Sequence, residues 1–186
     1  MTLLEQLSQR RPQRADAARN FDALLTAARA AFDELGADAP LEDIARRAHV
    51  GIATLYRNFP TREELIDAVY AAEVDGICAA AGEHDDPWSE LVRWVELLVD
   101  RLGNAQALAP GLATSSASRA ALWAAGAQLL ARAIAAGEVY PKVEVDDLMR
   151  LVVGVVAMFA TDQQQRDRVL GVILDGIRTP PPPLPK

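Results

Sequence analysis

The sequence is poor in the residues on which most enzymes and disulfide-built scaffolds depend. It has one cysteine, Cys78, and two histidines, His49 and His84, in 186 residues. A single cysteine excludes an internal disulfide and a cysteine metal site, and Cys78 reads as a small buried hydrophobe. A catalytic thiol would need a base nearby, and the two histidines are the only imidazoles the chain offers. No Gly-rich phosphate loop, no nucleophile–His–acid arrangement and no Glu-x-x-His pair is present, so neither an enzyme nor a bound metal or cofactor is expected. No stretch of about 18 apolar residues runs without a charge; the longest candidate, Leu148–Ala160, is too short and contains Arg150. The N-terminal stretch carries Glu5 early and has no apolar core of the secretory kind. No membrane partner is expected, and a cytoplasmic protein is. Aromatics are few, and there is no repeat and no strand-like alternation.

Basic charge is also scarce. The net charge is −7, which argues at first against a nucleic-acid partner. Residues 1–70 carry 9 Arg against 11 Asp or Glu, a net of −2, and residues 71–186 carry 10 Lys or Arg against 15 acids, a net of −5. The N-terminal part therefore fails the usual composition test for a DNA binder. Its arginines are grouped, however: Arg10, Arg11, Arg14 and Arg19 in one cluster, Arg46, Arg47, Arg57 and Arg62 in another. Grouping can create a local positive face on an acidic chain; solvated surface arginines are the plainer alternative.

What the chain has in abundance is alanine and leucine at helical spacing. Residues 1–15 read as a flexible basic arm interrupted by Pro12. Phe21, Leu24, Leu25, Ala28, Phe32 and Leu35 recur at steps of three and four, which predicts a helix over 16–35 stopped by Gly36. Pro40 with Glu42 and Asp43 opens a second helix, to about Ala48. His49-Val50-Gly51 is a turn, with His49 where a left-handed residue is needed. A third helix, Ile52–Asn58, is barely two turns and needs Leu55 and Phe59 as core anchors. Pro60 ends it, and Thr61 with Glu64 forms the capping box of a fourth helix to about Ala81. Further helices are predicted over 87–102, 118–136, 145–161 and 164–177. Residues 104–117 are irregular, and the proline-rich tail 179–186 is extended. An all-α fold is expected: a domain over 16–81 in which the short second and third helices make a helix-turn-helix, an arrangement that can place one helix in a DNA groove, and a helical domain over 82–178.

The run Ala48-His49-Val50-Gly51-Ile52-Ala53-Thr54-Leu55-Tyr56-Arg57-Asn58-Phe59, with Glu63, Glu64 and Leu65 behind it and Leu41-x-x-Ile44-Ala45 before it, carries a resemblance. Residues 17–77 resemble the N-terminal domain of TetR/AcrR-family transcriptional regulators. The family's turn glycine is replaced by His49, its serine by Gly51, its next glycine by Ala53, its histidine by Asn58 and its lysine by Arg62. Asn58 keeps hydrogen-bonding capacity and Arg62 keeps the charge, while Gly51, Ile52 and Ala53 bear on which bases are read.

The resemblance implies a division of labour. Thr54, Tyr56, Asn58 and Arg62 would hold phosphates, and Arg47 and the arm's Arg14 would add counterion-release affinity. Ile52, Ala53, Tyr56 and Arg57 would meet base edges. Tyr56 could instead be a core aromatic with an exposed hydroxyl. The C-terminal helices would form a homodimer and a pocket for an unknown small-molecule effector. Leu151, Val155, Phe159, Val169, Leu170, Ile173, Leu174 and Ile177 would line the dimer interface. Trp88, Trp94, Trp123, Met149 and Met158 are pocket candidates, though each also suits plain core, and the 104–117 loop is a candidate pocket edge. Two recognition helices about 34 Å apart would then read a pseudo-palindromic double-stranded operator. A repressor released by its effector is the leading expectation; a helical protein-interaction scaffold with degenerate DNA binding is the alternative.

Overall fold

In the computed structural model, residues 2–81, 86–104, 117–158 and 162–179 are described. Among them are nine helices and no strand: α1 Leu3–Arg10, α2 Ala15–Leu35, α3 Leu41–Arg47, α4 Ile52–Asn58, α5 Arg62–Ala79, α6 Pro87–Asn104, α7 Ala117–Ala135, α8 Val145–Met158 and α9 Gln163–Ile177. The described residues fall into two compact units, one holding 2–76, 104 and 117–120, the other 77–103 and those from 121 on. The chain passes from the first unit to the second within α5, returns at the last residue of α6, and passes to the second again within α7.

The first unit is built on α2. Its apolar stripe buries Ala18, Phe21, Leu24, Ala27, Ala28, Ala31 and Phe32, and Gly36 ends it with a φ of 75° that only glycine takes without strain. The predicted stripe runs one residue too far: Leu35 is exposed. On this platform α3 buries Leu41, Ile44 and Ala45. A tight turn follows, closed by the Val50 N–H donating to the Ala45 carbonyl at 3.0 Å, with His49 in the left-handed region at φ 55°. Two side chains hold α4 to the core, Leu55 and Phe59, both fully buried. The Phe59 ring lies 5.0 Å from that of Phe21. Each such burial contributes about 1.5–3 kcal/mol, which a seven-residue helix could not supply from its own hydrogen bonds. The Thr61 hydroxyl then accepts from the Glu64 N–H at 3.2 Å, starting α5, whose Leu65, Ile66, Tyr70, Ala71 and Val74 complete this core.

The second unit packs α6, α7, α8 and α9. Asp86 caps α6 by accepting from the Ser89 N–H at 2.9 Å, and the stripe Trp88, Leu91, Trp94, Val95, Leu98 and Leu102 is buried. The Trp94 indole N–H donates to the Ile77 carbonyl at 2.9 Å, so the largest core side chain also has its polar atom satisfied. Leu122, Leu129, Leu130 and Ala133 of α7 and Leu148, Met149, Val152, Val155 and Val156 of α8 close the core. A short bridge between Val139 and Arg178 ties the α7–α8 connection to the end of α9.

One expectation is corrected. Residues 1–15 are not a flexible arm: residues 3–10 form α1. Thr2 accepts from the Glu5 N–H at 3.1 Å while Glu5 accepts from the Thr2 N–H at 2.9 Å, a complete capping box. The proline that argued for an arm lies two residues past the helix. Gly82–Asp85, the 105–116 stretch, Phe159 and the tail beyond Thr179 lie outside the described residues, and with them the expectations for His84, the pocket-edge loop, Phe159 and an extended tail.

Candidate nucleic-acid interface

The exposed face of α4 is the centre of the candidate site. Gly51 supplies its N-cap with an extended backbone, φ −73° and ψ 149°, and space around it is open. Behind it, Leu55 and Phe59 are sequestered, so helical geometry turns Gly51, Ala53, Tyr56 and Arg57 outward. Tyr56 is 46 % exposed, a large ring standing on the surface rather than in the core. Ile52, Thr54 and Asn58 are half-buried. Arg57 reaches the Thr54 hydroxyl at 3.4 Å, and the Asn58 amide donates to the Thr54 carbonyl at 2.7 Å. Asn58 thus spends a donor inside its own helix, which stiffens the last turn. Arg14 is exposed just ahead of α2.

Two arginines are placed differently from expectation. The Arg62 guanidinium is half-buried, and its Nη1 donates to the Ala37 carbonyl at 2.8 Å and the Ala39 carbonyl at 2.6 Å. These carbonyls belong to the bend between α2 and α3, so Arg62 fastens that bend instead of facing outward as a phosphate ligand. Arg47 is held by two carboxylates: its Nε by Asp43 at 2.7 Å, its Nη2 by Glu34 at 2.8 Å. The Arg47 hydrogen bond holds both carboxyls below their ordinary range, and Asp43 also engages Arg46. The guanidinium is raised in turn. A cation so neutralised adds less to a positive face than a free one.

The same pattern extends outward. Arg10 pairs with Glu64, Arg11 with Asp22, and Arg19 with Asp16. The clustered arginines of the sequence are therefore interleaved with acids in space. Sequence reasoning passed over Asp16, Asp22, Glu34, Asp43 and Glu64 as their partners; the helical spacing of Asp16 with Arg19 and of Asp43 with Arg46 and Arg47 signals the local pairs, whereas Asp22, Glu34 and Glu64 stand too far from their arginines in the chain to be read this way.

In the second unit the pocket candidates separate. Trp88, Trp94 and Met149 are buried in the core. A Cβ added at Gly126 would lie 3.2 Å from Trp94 and 3.3 Å from the Met149 sulfur, so these side chains are in close packing. Trp123 is half-buried, its indole N–H donating to Asp146 at 2.8 Å. Met158, in the last described turn of α8, is 77 % exposed. A groove of about 320 Å³ runs between α6 and α9, lined among others by Val99, Arg166 and Leu170; none of the five candidates borders it. Among the described residues, no group of three or more His, Cys, Asp or Glu is placed to hold a metal, and no helix is long and apolar enough to cross a membrane.

Of the expected dimer residues, Val155, Leu170 and Leu174 are buried within the chain itself, while Val169, Ile173 and Ile177 are half-buried. Leu151 is 48 % exposed, and Val172, which the sequence reading did not single out, is 72 % exposed. Leu151 and Val172 with Met158 make the outward apolar surface of α8 and α9.

Comparison with known proteins bears on the family and the fold. Residues 24–69 match the family model described as bacterial regulatory proteins, tetR family. Residues 86–179 match that described as transcriptional regulator SbtR-like, C-terminal domain. Among solved structures, a TetR transcriptional regulator from Streptomyces coelicolor is 35 % identical, with 87 % of this chain and 99 % of that one aligned at a TM-score of 0.55. RolR in complex with resorcinol is 18 % identical over 88 % of this chain and 90 % of that one, TM-score 0.63. TylP, a TetR regulator from Streptomyces fradiae, is 24 % identical over 88 % and 89 %, TM-score 0.58; at these lower identities the likeness is one of fold. A search among proteins of curated function returns no match.

Proposed function

The chain belongs to the TetR family of DNA-binding transcriptional regulators, and from that premise we propose that it is a homodimeric repressor released from its operator by a small molecule. The observation that carries the reading is the outward face of α4. A helix too short to stand alone is pinned by Leu55 and Phe59 so that Ala53, Tyr56 and Arg57 stand clear of the protein. Such a helix enters a major groove. Ala53 offers apolar contact to a thymine methyl, Tyr56 a ring and a hydroxyl, and Arg57 a bidentate donor. Gly51, Ile52 and Thr54 bring the helix N-terminus, with its unpaired amides, to a phosphate.

Because Arg47 and Arg62 are occupied within the protein, the electrostatic share of affinity rests on Arg14, Arg57 and the helix end. The salt dependence of binding is accordingly shallow for a family of this kind. Two such heads on a two-fold dimer read a pseudo-palindromic site, and Leu151, Met158 and Val172 are the surfaces the mate covers. The effector enters the second unit near Trp94, Trp88 and Met149, where it must displace packed side chains. Binding shifts the dimer toward a spacing that no longer fits successive grooves. The cytoplasm is where such a protein meets DNA.

The test is a gel shift on DNA from upstream of the chain's own gene, with and without candidate effectors. Sequence-selective, salt-sensitive binding is expected. Its absence under every condition overturns the repressor reading and leaves a protein-interaction scaffold.

A further inference from the structure

We propose that α1 is a strut that fixes the recognition helix, with Arg10 as its positioning residue and Asp75 as its anchor. This rests on the reading of α4 above. At its N-terminus, α1 seats on the Asp75 carboxylate: the Leu3 N–H donates to one oxygen at 2.9 Å and the Leu4 N–H to the other at 2.8 Å. These are two of the amides that a helix start leaves without partners, and an anion there also meets the positive end of the helix dipole. At the other end, Arg10 Nη2 donates to the Asn58 carbonyl at 2.9 Å and to Glu64 at 2.7 Å, and its guanidinium lies 5.9 Å from the centre of the Phe59 ring. Asn58 is the last residue of α4, so Arg10 satisfies a carbonyl that the end of the recognition helix leaves open.

Between these ends α1 is loosely held. Leu3 is its one buried residue, and a groove of about 520 Å³ runs along it, lined among others by Leu7, Thr61, Asp67 and Ala68. Eight residues cannot hold helical form by themselves. The capping box favours the helix start, and the contacts with Asp75 at one end and through Arg10 at the other decide where it lies. Asp75 lies one residue before Gly76, where α5 leaves the first unit and continues into the second. The strut therefore joins the last turn of α5 in this unit to the C-terminus of α4, and a shift of Asp75 is delivered to the recognition helix by a route separate from the α4–α5 turn.

The test uses the full chain and the variants Asp75→Ala, Arg10→Ala and Arg10→Lys, with two measurements. The first is amide hydrogen exchange without DNA. Exchange over 52–58 is expected to rise about tenfold in Asp75→Ala and Arg10→Ala, with Arg10→Lys between them and wild type. Unchanged exchange there, or an equal rise across α2 and α3, overturns the strut. The second is fluorescence anisotropy on duplex DNA from the upstream region across a salt series. Removing the negative Asp75 would tighten binding if bulk charge governed; the strut requires Asp75→Ala to weaken it about tenfold. In Arg10→Ala affinity falls with the salt slope unchanged, whereas a phosphate-contacting Arg10 would lower the slope by about 0.9 for each arginine lost. Tighter binding by Asp75→Ala or a reduced slope in Arg10→Ala contradicts the proposal. If the wild-type chain binds none of this DNA, the repressor reading fails, and the exchange experiment alone decides the role of α1.

Discussion

Replacing Arg62 with alanine should damage the folding of the first unit rather than its phosphate contacts. In the TetR-type register this position carries a basic residue that invites a DNA role, yet Nη1 is committed to the Ala37 and Ala39 carbonyls at 2.8 and 2.6 Å. Ala39 is fully buried, so its carbonyl has little access to replacement water. A hydrogen bond from a charged donor contributes about 1.5–3 kcal/mol, and a stranded buried acceptor costs about 1–3 kcal/mol. The guanidinium is half-buried, and its partial solvation reduces the sum, which leaves a loss of about 2 kcal/mol. With an m-value of about 2 kcal/mol/M in urea, the midpoint falls by about 1 M. Circular dichroism at 222 nm is the suitable probe, since all three tryptophans, Trp88, Trp94 and Trp123, lie in the second unit. At a urea-free temperature where the variant is folded, the salt slope of DNA binding should equal that of wild type. An unchanged midpoint with a slope reduced by about 0.9 for each arginine removed would refute this assignment and restore Arg62 as a phosphate ligand.

Other consequences are equally specific. Tyr56→Ala should weaken operator binding by at least about tenfold, the worth of one good base contact, and leave the unfolding free energy within about 0.5 kcal/mol of wild type because the ring is half exposed; a dimer lost in sedimentation would contradict this. Gly126→Ala sets a methyl 3.2–3.3 Å from Trp94 and Met149, an overpacking that should cost about 1–2 kcal/mol and move the tryptophan emission; an unperturbed spectrum and midpoint would show that this part of the core is slack. Acid should loosen the first unit slightly. Hydrogen bonds from Arg11 to Asp22 and from Arg47 to Glu34 and Asp43 hold these carboxyls below their unfolded values. Their contribution is present above the unfolded carboxylate range and is lost as pH falls through the lowered folded values. Thermal melts from pH 6 down to pH 3 should show the decline only in the most acidic steps; a melting temperature that rises on acidification would contradict it.

Much of the architecture is legible in the sequence because it depends on local signals. The stripe from Phe21 to Phe32, the Gly36 stop, the Thr61–Glu64 cap and the first-turn Pro87 are all short-range features, and each marks an element where the structure has one. The helix α1 was missed although Thr2, Glu5, Leu3 and Leu7 carried its signal; Pro12 and the arginines outweighed it, and its anchors, Asp75 and Asn58, are far away in the chain. The site divides the same way. The outward set Gly51, Ala53, Tyr56 and Arg57 follows from helical periodicity once Leu55 and Phe59 are assigned inward. Which arginines stay available does not follow, since Arg62 is claimed by carbonyls more than twenty residues earlier and Arg47 by Glu34 as well as by its helical neighbour Asp43.

Hydroxyl-radical footprinting of the upstream region by the full chain shows whether α4 reads DNA from a two-fold dimer. Two protected patches on a dyad sequence, about one helical turn apart, are expected with wild type and not with Tyr56→Ala at the same concentration. Uniform protection along the fragment, or protection that persists unchanged in Tyr56→Ala, would contradict it.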